Sequence, residues 1–138
     1  MLYLSGLALN NFRSYRHIEV SFDPSPTVLY GKNGAGKTNL LEAISLFSIG
    51  TGMRGAKLKD LCFSSPAAST TEWGANALLS EKVVPEGPAD IVLTTGYDNV
   101  RRVCKIQGEP VRSAAKFQEY MCIVHITPDL DHIFTNSA

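Results

Sequence analysis

Eight consecutive residues, Gly31-Lys32-Asn33-Gly34-Ala35-Gly36-Lys37-Thr38, have the types and spacing that suit a polyphosphate. They satisfy the pattern G-x-x-x-x-G-K-[ST]. Glycine carries no Cβ, so Gly31, Gly34 and Gly36 can turn successive backbone N–H groups toward one anion, with Lys32, Asn33 and Ala35 contributing amides between them. Lys37 supplies an ammonium for the β- and γ-phosphates, and Thr38 supplies a hydroxyl for Mg²⁺. The implied chemistry is the binding of a nucleoside triphosphate with its metal ion.

That chemistry needs a strand before the loop and a helix after it, so that the positive end of the helix dipole faces the phosphates. Thr27-Val28-Leu29-Tyr30 is apolar and β-rich, which predicts a strand entering the loop. Asn39 to Phe47 places apolar residues at helical spacing, predicting a helix of about three turns that begins near Gly36 and runs to about Ile49. Two other glycine patterns are out of context. Gly50-Thr51-Gly52-Met53-Arg54-Gly55 reads as G-x-G-x-x-G but follows a helix rather than a strand, so Gly50 is expected to be a helix C-terminal cap. Leu4-Ser5-Gly6 resembles the start of an LSGG segment but precedes the phosphate loop.

Around this core, the alternation predicts strands over 2–9 and 17–22, separated by Asn10-Asn11, with a turn at Asp23-Pro24-Ser25-Pro26. Leu58 to Phe63 suits a short helix. Strands are expected over 73–79 and 90–95, followed by a hairpin turning at Asp98-Asn99 into 100–107. Ser113 is a candidate N-cap for a helix to Met121, and Cys122-Ile123-Val124-His125-Ile126 suits a buried strand. The fold class expected is α/β, a P-loop lobe (1–63) with an added antiparallel β region (71–138).

Hydrophobic content of 44% with 19% charged residues is that of an ordinary globular chain. Zero net charge removes any global pull toward nucleic acid or a membrane and leaves only local patches to provide one. The basic residues Arg101, Arg102, Lys105, Arg112 and Lys116 are the candidates for such a patch, with a solvated hairpin face as the plainer reading. Cys62, Cys104 and Cys122 form neither a metal pattern nor a disulfide framework, which suits a reducing cytoplasm. His17, His125 and His132 show no ligand spacing. The apolar run at the start is too short for a membrane span.

The residues flanking the loop resemble the N-terminal part of the RecF family, which belongs with the SMC ATPases in the ABC-like group. Leu7-Ala8-Leu9-Asn10-Asn11-Phe12-Arg13-Ser14-Tyr15 is similar to the family's "L-x-x-F-R-[SN]-[YF]" opening. The loop and its helix, Tyr30 through Ile44, continue the likeness, and Gly50 to Ala56 resembles a "G-R-G-F-R-x-A" run. Arg101-Arg102-Val103, Ile106-Gln107-Gly108 and Ile126-Thr127-Pro128-Asp129-Leu130 resemble later landmarks. The resemblance implies an ABC-like ATPase head that binds ATP and Mg²⁺ and contacts gapped, single-stranded or duplex DNA in recombinational repair. It also implies pairing with a second copy on ATP, with RecR and RecO as partners. Arg13 and Arg54 become candidates for nucleotide or DNA contact, and Asp129 falls where related enzymes carry a metal-sensing loop.

ATPases of this group hydrolyse ATP with an apolar run ending in Asp-Glu and a separate signature segment. Neither is visible here, and the chain stops at Ala138, where the resemblance places the start of a helical lobe. The expectation is therefore a truncated half-head without a base for water. The competing readings are a generic P-loop phosphotransferase and an inactive fragment.

Overall fold

A computed structural model describes residues 1–82 and 90–128. Strict alternation in Trp73-Gly74-Ala75-Asn76-Ala77-Leu78-Leu79 buries Trp73, Ala75, Ala77 and Leu79 on one side of a strand, and this strand is the spine of the molecule. It lies in a six-stranded, wholly antiparallel sheet of order β2-β1-β3-β4-β5-β6. The strands are β1 (Leu2–Phe12), β2 (Tyr15–Ser21), β3 (Trp73–Glu81), β4 (Ile91–Tyr97), β5 (Arg102–Ile106) and β6 (Glu109–Pro110). β1 pairs with both β2 and β3, so the strands before the phosphate loop and those after it share one sheet.

Among the described residues one α-helix, α1 (Lys37–Ser45), packs on the inner face. Leu40, Ala43, Leu46 and Phe47 share one buried core with Leu7, Leu9 and Leu93 from the sheet, and the Phe117 ring joins it 5.7 Å from that of Phe47. Asn11 adopts a left-handed conformation (φ 51) that breaks the alternation of β1, and Phe12 joins Leu7 and Leu9 in the core. There it packs edge-on against Trp73 at 5.2 Å. Short 3₁₀ helices at Leu58–Leu61 and Ala114–Glu119 complete the cover.

Several elements differ from the sequence expectation. β1 runs three residues past Leu9, and β2 begins at Tyr15, because the chain reverses in a tight turn at 13–14. α1 ends at Ser45 rather than near Ile49 and is capped by Leu46, so Gly50 (φ 97) closes a later turn and not the helix. Ser113 does cap, accepting from the Ala115 amide, but the element it opens is 3₁₀. The expected strands at 27–30 and 122–126 join no sheet. Val28, Tyr30, Val124 and Ile126 are all at least 79% exposed. An apolar run becomes a strand only where a neighbour completes its hydrogen-bond ladder, and none of the described strands lies beside these two. Asp129 and His132 lie outside the described residues.

Candidate functional site

α1 opens without a side-chain cap and without an acid in its first turn. Its first amides therefore point at the space in front of the loop with nothing negative to compete for them. Gly34 (φ 84) and Gly36 (φ 99) adopt backbone conformations that side chains strongly disfavour. At Gly36 a Cβ would also overlap the hydroxyl and Cζ of Tyr15, so glycine is needed for close approach as well as for the turn.

The loop and the start of the helix enclose a cavity of about 220 Å³, lined by Asn33, Gly34, Gly36, Lys37, Thr38, Asn39 and Arg54. Lys37 folds back so that its Nζ donates to the carbonyls of Gly31 (2.5 Å) and Lys32 (2.9 Å). The ammonium thus ties the start of the loop to the first turn of α1. Thr38 is exposed at the rim, and its hydroxyl has no hydrogen-bond partner among the described residues. A larger hollow of about 490 Å³ lies elsewhere, walled by Leu4, Phe22, Pro24, Leu29, Leu41 and Ile44 among others. Asp23 is the charged residue in its lining, so it lacks what phosphate recognition requires.

The turn between β1 and β2 and the first residue of β2 brace the loop and α1 at three points. The Tyr15 hydroxyl donates to the Ala35 carbonyl (3.4 Å), and burial pushes this phenol up from its ordinary pKa, which keeps it a neutral donor. Asn39 Nδ2 donates to Ser14 Oγ (3.0 Å). Arg13 forms a two-pronged pair with Glu42, Nε to Oε1 at 2.8 Å and the terminal nitrogen to Oε2 at 3.0 Å. Arg13 itself is left-handed (φ 50), and its amide is tied to the Leu61 carbonyl at 2.8 Å. Its guanidinium is thus placed on Glu42 and does not line the phosphate cavity.

Arg54 does line the cavity. It donates to Asn39 Oδ1 (3.2 Å) and, at longer range, to Glu42 Oε1 (3.4 Å). Glu42, with 1% of its side chain exposed, is therefore the hub that joins both candidate arginines. In sequence it reads as one more polar position in a helix. The signal that could have found it is a lone acid within the largely apolar run Leu40 to Phe47.

Three of the five basic residues singled out in the second half have different surroundings. Arg101 is exposed, Lys116 is paired with Glu119 at 2.9 Å, and Arg102 turns inward onto the end of α1. Among the described residues no group of His, Cys, Asp or Glu could hold a metal ion. No described helix is long and apolar enough to cross a membrane.

The sequence matches the family model described as "RecF/RecN/SMC N terminal domain" over residues 3–129. It is 34% identical to the DNA replication and repair protein RecF of Rickettsia felis across 99% of this chain and 35% of that protein. A solved structure of the recombination mediator protein RecF with ATP, of the RecFOR pathway, superposes with a TM-score of 0.79 at 26% identity, over 96% of this chain and 34% of that one. A structure from work on ATP-driven dimerization and DNA-stimulated activation of SMC ATPases shares the fold, with a TM-score of 0.70 at 20% identity. It is covered over 98% of its length and covers 97% of this chain. The chain spans about a third of the length of the RecF relatives it matches.

Proposed function

The chain belongs to the RecF/RecN/SMC N-terminal domain family, and from that premise we propose that it binds ATP with Mg²⁺ through Gly31–Thr38 as the nucleotide-binding part of a DNA repair protein. The observation that carries this reading is the cavity at the uncapped start of α1, where free helical amides, Lys37, Thr38 and Arg54 converge. Helix amides and the dipole favour the anion, and Lys37 can exchange two neutral carbonyls for charged phosphate oxygens, a stronger hydrogen bond. Thr38 fits Mg²⁺ as a lone hydroxyl ligand, and this ion is commonly bound by few protein groups together with phosphate oxygens and water. When bound, the ion would neutralise phosphate charge.

Arg54 is the second cation of the site, and Arg13 serves it indirectly by neutralising Glu42. Glu42 is the carboxylate in contact with the lining, but it is buried and engaged by both arginines, so it is not free to take a proton from water. The residues described around the cavity therefore support binding. Pairing with a second copy on ATP, contact with DNA, and the partners RecR and RecO are part of the same proposal and are supported by the family membership.

Calorimetric titration of Mg-ATP into the chain and into Lys37→Ala tests it. Saturable heat in the parent chain, lost in the folded variant, is the expected result. Equal heats, or no heat in a folded parent, would overturn the assignment.

A further inference from the structure

Arg102 departs furthest from its sequence reading as a surface cation. Its guanidinium donates to the Gly50 carbonyl (2.7 Å), to the Leu46 carbonyl and to Thr95 Oγ1 (3.2 Å). Thr95 is fully buried, and among the described residues Arg102 forms no salt bridge. Leu46 caps α1, so the cation sits against the negative end of the helix, where the last carbonyls lack intrahelical partners. Burial pushes its pKa down from the ordinary value, and those acceptors offset the cost of desolvating it.

The segment it holds is the one that carries Arg54. Beyond Leu46 the chain turns at Gly50 (φ 97) and Gly52 (φ 79) and folds back along α1. Gly52 lies so close to Ser45 and Leu46 that a Cβ would meet them at 3.0 and 2.9 Å, and the Met53 amide donates to Ser45 Oγ at 2.8 Å. The fold-back delivers Arg54 to Asn39 and Glu42, more than a helical turn nearer the phosphate loop than the point where the segment began.

We propose that Arg102 is a positioning residue for the phosphate site: by tying the carbonyls of Leu46 and Gly50 it sets the fold-back that brings Arg54 to the cavity rim. The role rests on reading that cavity as a triphosphate site. It also couples the β4–β5 hairpin, which contributes Arg102 and Thr95, to the nucleotide.

Two measurements on the whole chain test this, using Arg102→Met, Ser45→Ala, Arg54→Ala and the double variant Arg102→Met/Arg54→Ala. Trypsin cleavage at the Arg54–Gly55 bond, followed by mass spectrometry without nucleotide, reads how firmly the segment is held. It should accelerate about tenfold in Arg102→Met, as expected for the loss of hydrogen bonds from a charged group, and less in Ser45→Ala. Mg-ATP affinity should fall about five- to tenfold in Arg102→Met and in Arg54→Ala, with the double variant no weaker than the weaker single one. Unchanged cleavage in a folded Arg102→Met overturns the proposal, and so does an affinity loss that adds to that of Arg54→Ala. Should Arg102→Met not fold, Ser45→Ala is measured in its place by cleavage and by affinity, and unchanged cleavage or an additive affinity loss there overturns the proposal equally. A parent chain that binds no Mg-ATP overturns the phosphate reading itself and with it this role, an outcome separate from unchanged cleavage.

Discussion

β3 and the segments at 27–30 and 122–126 are built from the same kind of residue and have opposite fates. Trp73 to Leu79 gains β1 on one side and β4 on the other, and its inner side chains are buried. Thr27-Val28-Leu29-Tyr30 and Cys122-Ile123-Val124-His125-Ile126 are at least as rich in β-branched and aromatic residues, yet they join no strand pairing among the described residues. β-propensity describes fit to a pleated, half-buried surface, and a strand is realised only when that surface exists. β1, β2, β3 and β4 pair edge to edge in this chain, and the pairing brings Leu7, Leu9 and Leu93 into one buried core with Leu40, Ala43 and Leu46. One segment precedes the loop at 31–38 and the other lies near the end of the described chain; Leu29 and Ile123 pack against the core, while Val28, Tyr30, Val124 and Ile126 face solvent.

Substitutions on the two sides of this contrast should differ sharply. Phe12→Ala removes a fully buried ring packed on Trp73 and should cost about 3–5 kcal/mol in urea denaturation. A loss under about 1 kcal/mol would mean that the sheet–helix core is not what holds the chain. Glu42→Ala leaves Arg13 without its partner. Because about a quarter of the arginine side chain remains exposed, we expect a loss of about 2 kcal/mol rather than the larger cost of a fully buried pair. An unchanged midpoint would show that the brace between the β1–β2 turn and α1 contributes nothing to folding. Ile126→Ser, at 89% exposure, should shift stability by less than about 0.5 kcal/mol and improve solubility in a sedimentation assay. A destabilisation like that of Phe12→Ala would place this segment in the core and erase the contrast.

How much is legible in sequence depends on the range of the interaction. The phosphate loop, the start of α1, the alternation of β3 and the turn at Asp98-Asn99 are recognisable as elements because each is a local pattern. The end of α1 is misplaced by sequence because apolar spacing continues through Phe47 after the helical hydrogen bonds have given way to turns. Arg13, Arg54 and Arg102 look alike in sequence, three arginines near glycines or strands. The folded chain sends the first to Glu42, the second to the cavity rim and the third to the carbonyls of Leu46 and Gly50.

The glycine spacing, the lysine and the hydroxyl that follow it, and the helix they open are properties of a short run of neighbouring residues. Backbone sterics and helix-end chemistry act within that span, so the left-handed glycines of residues 31–38 and the uncapped helix start that follows them are set locally. The fate of each cation and each apolar run is settled by residues dozens of positions away, 29 between Arg13 and Glu42 and 56 between Arg102 and Leu46. A charge or a strand edge is satisfied by whatever acceptor or neighbour the packed chain brings within about 3 Å, and that is a property of the assembled sheet and helix.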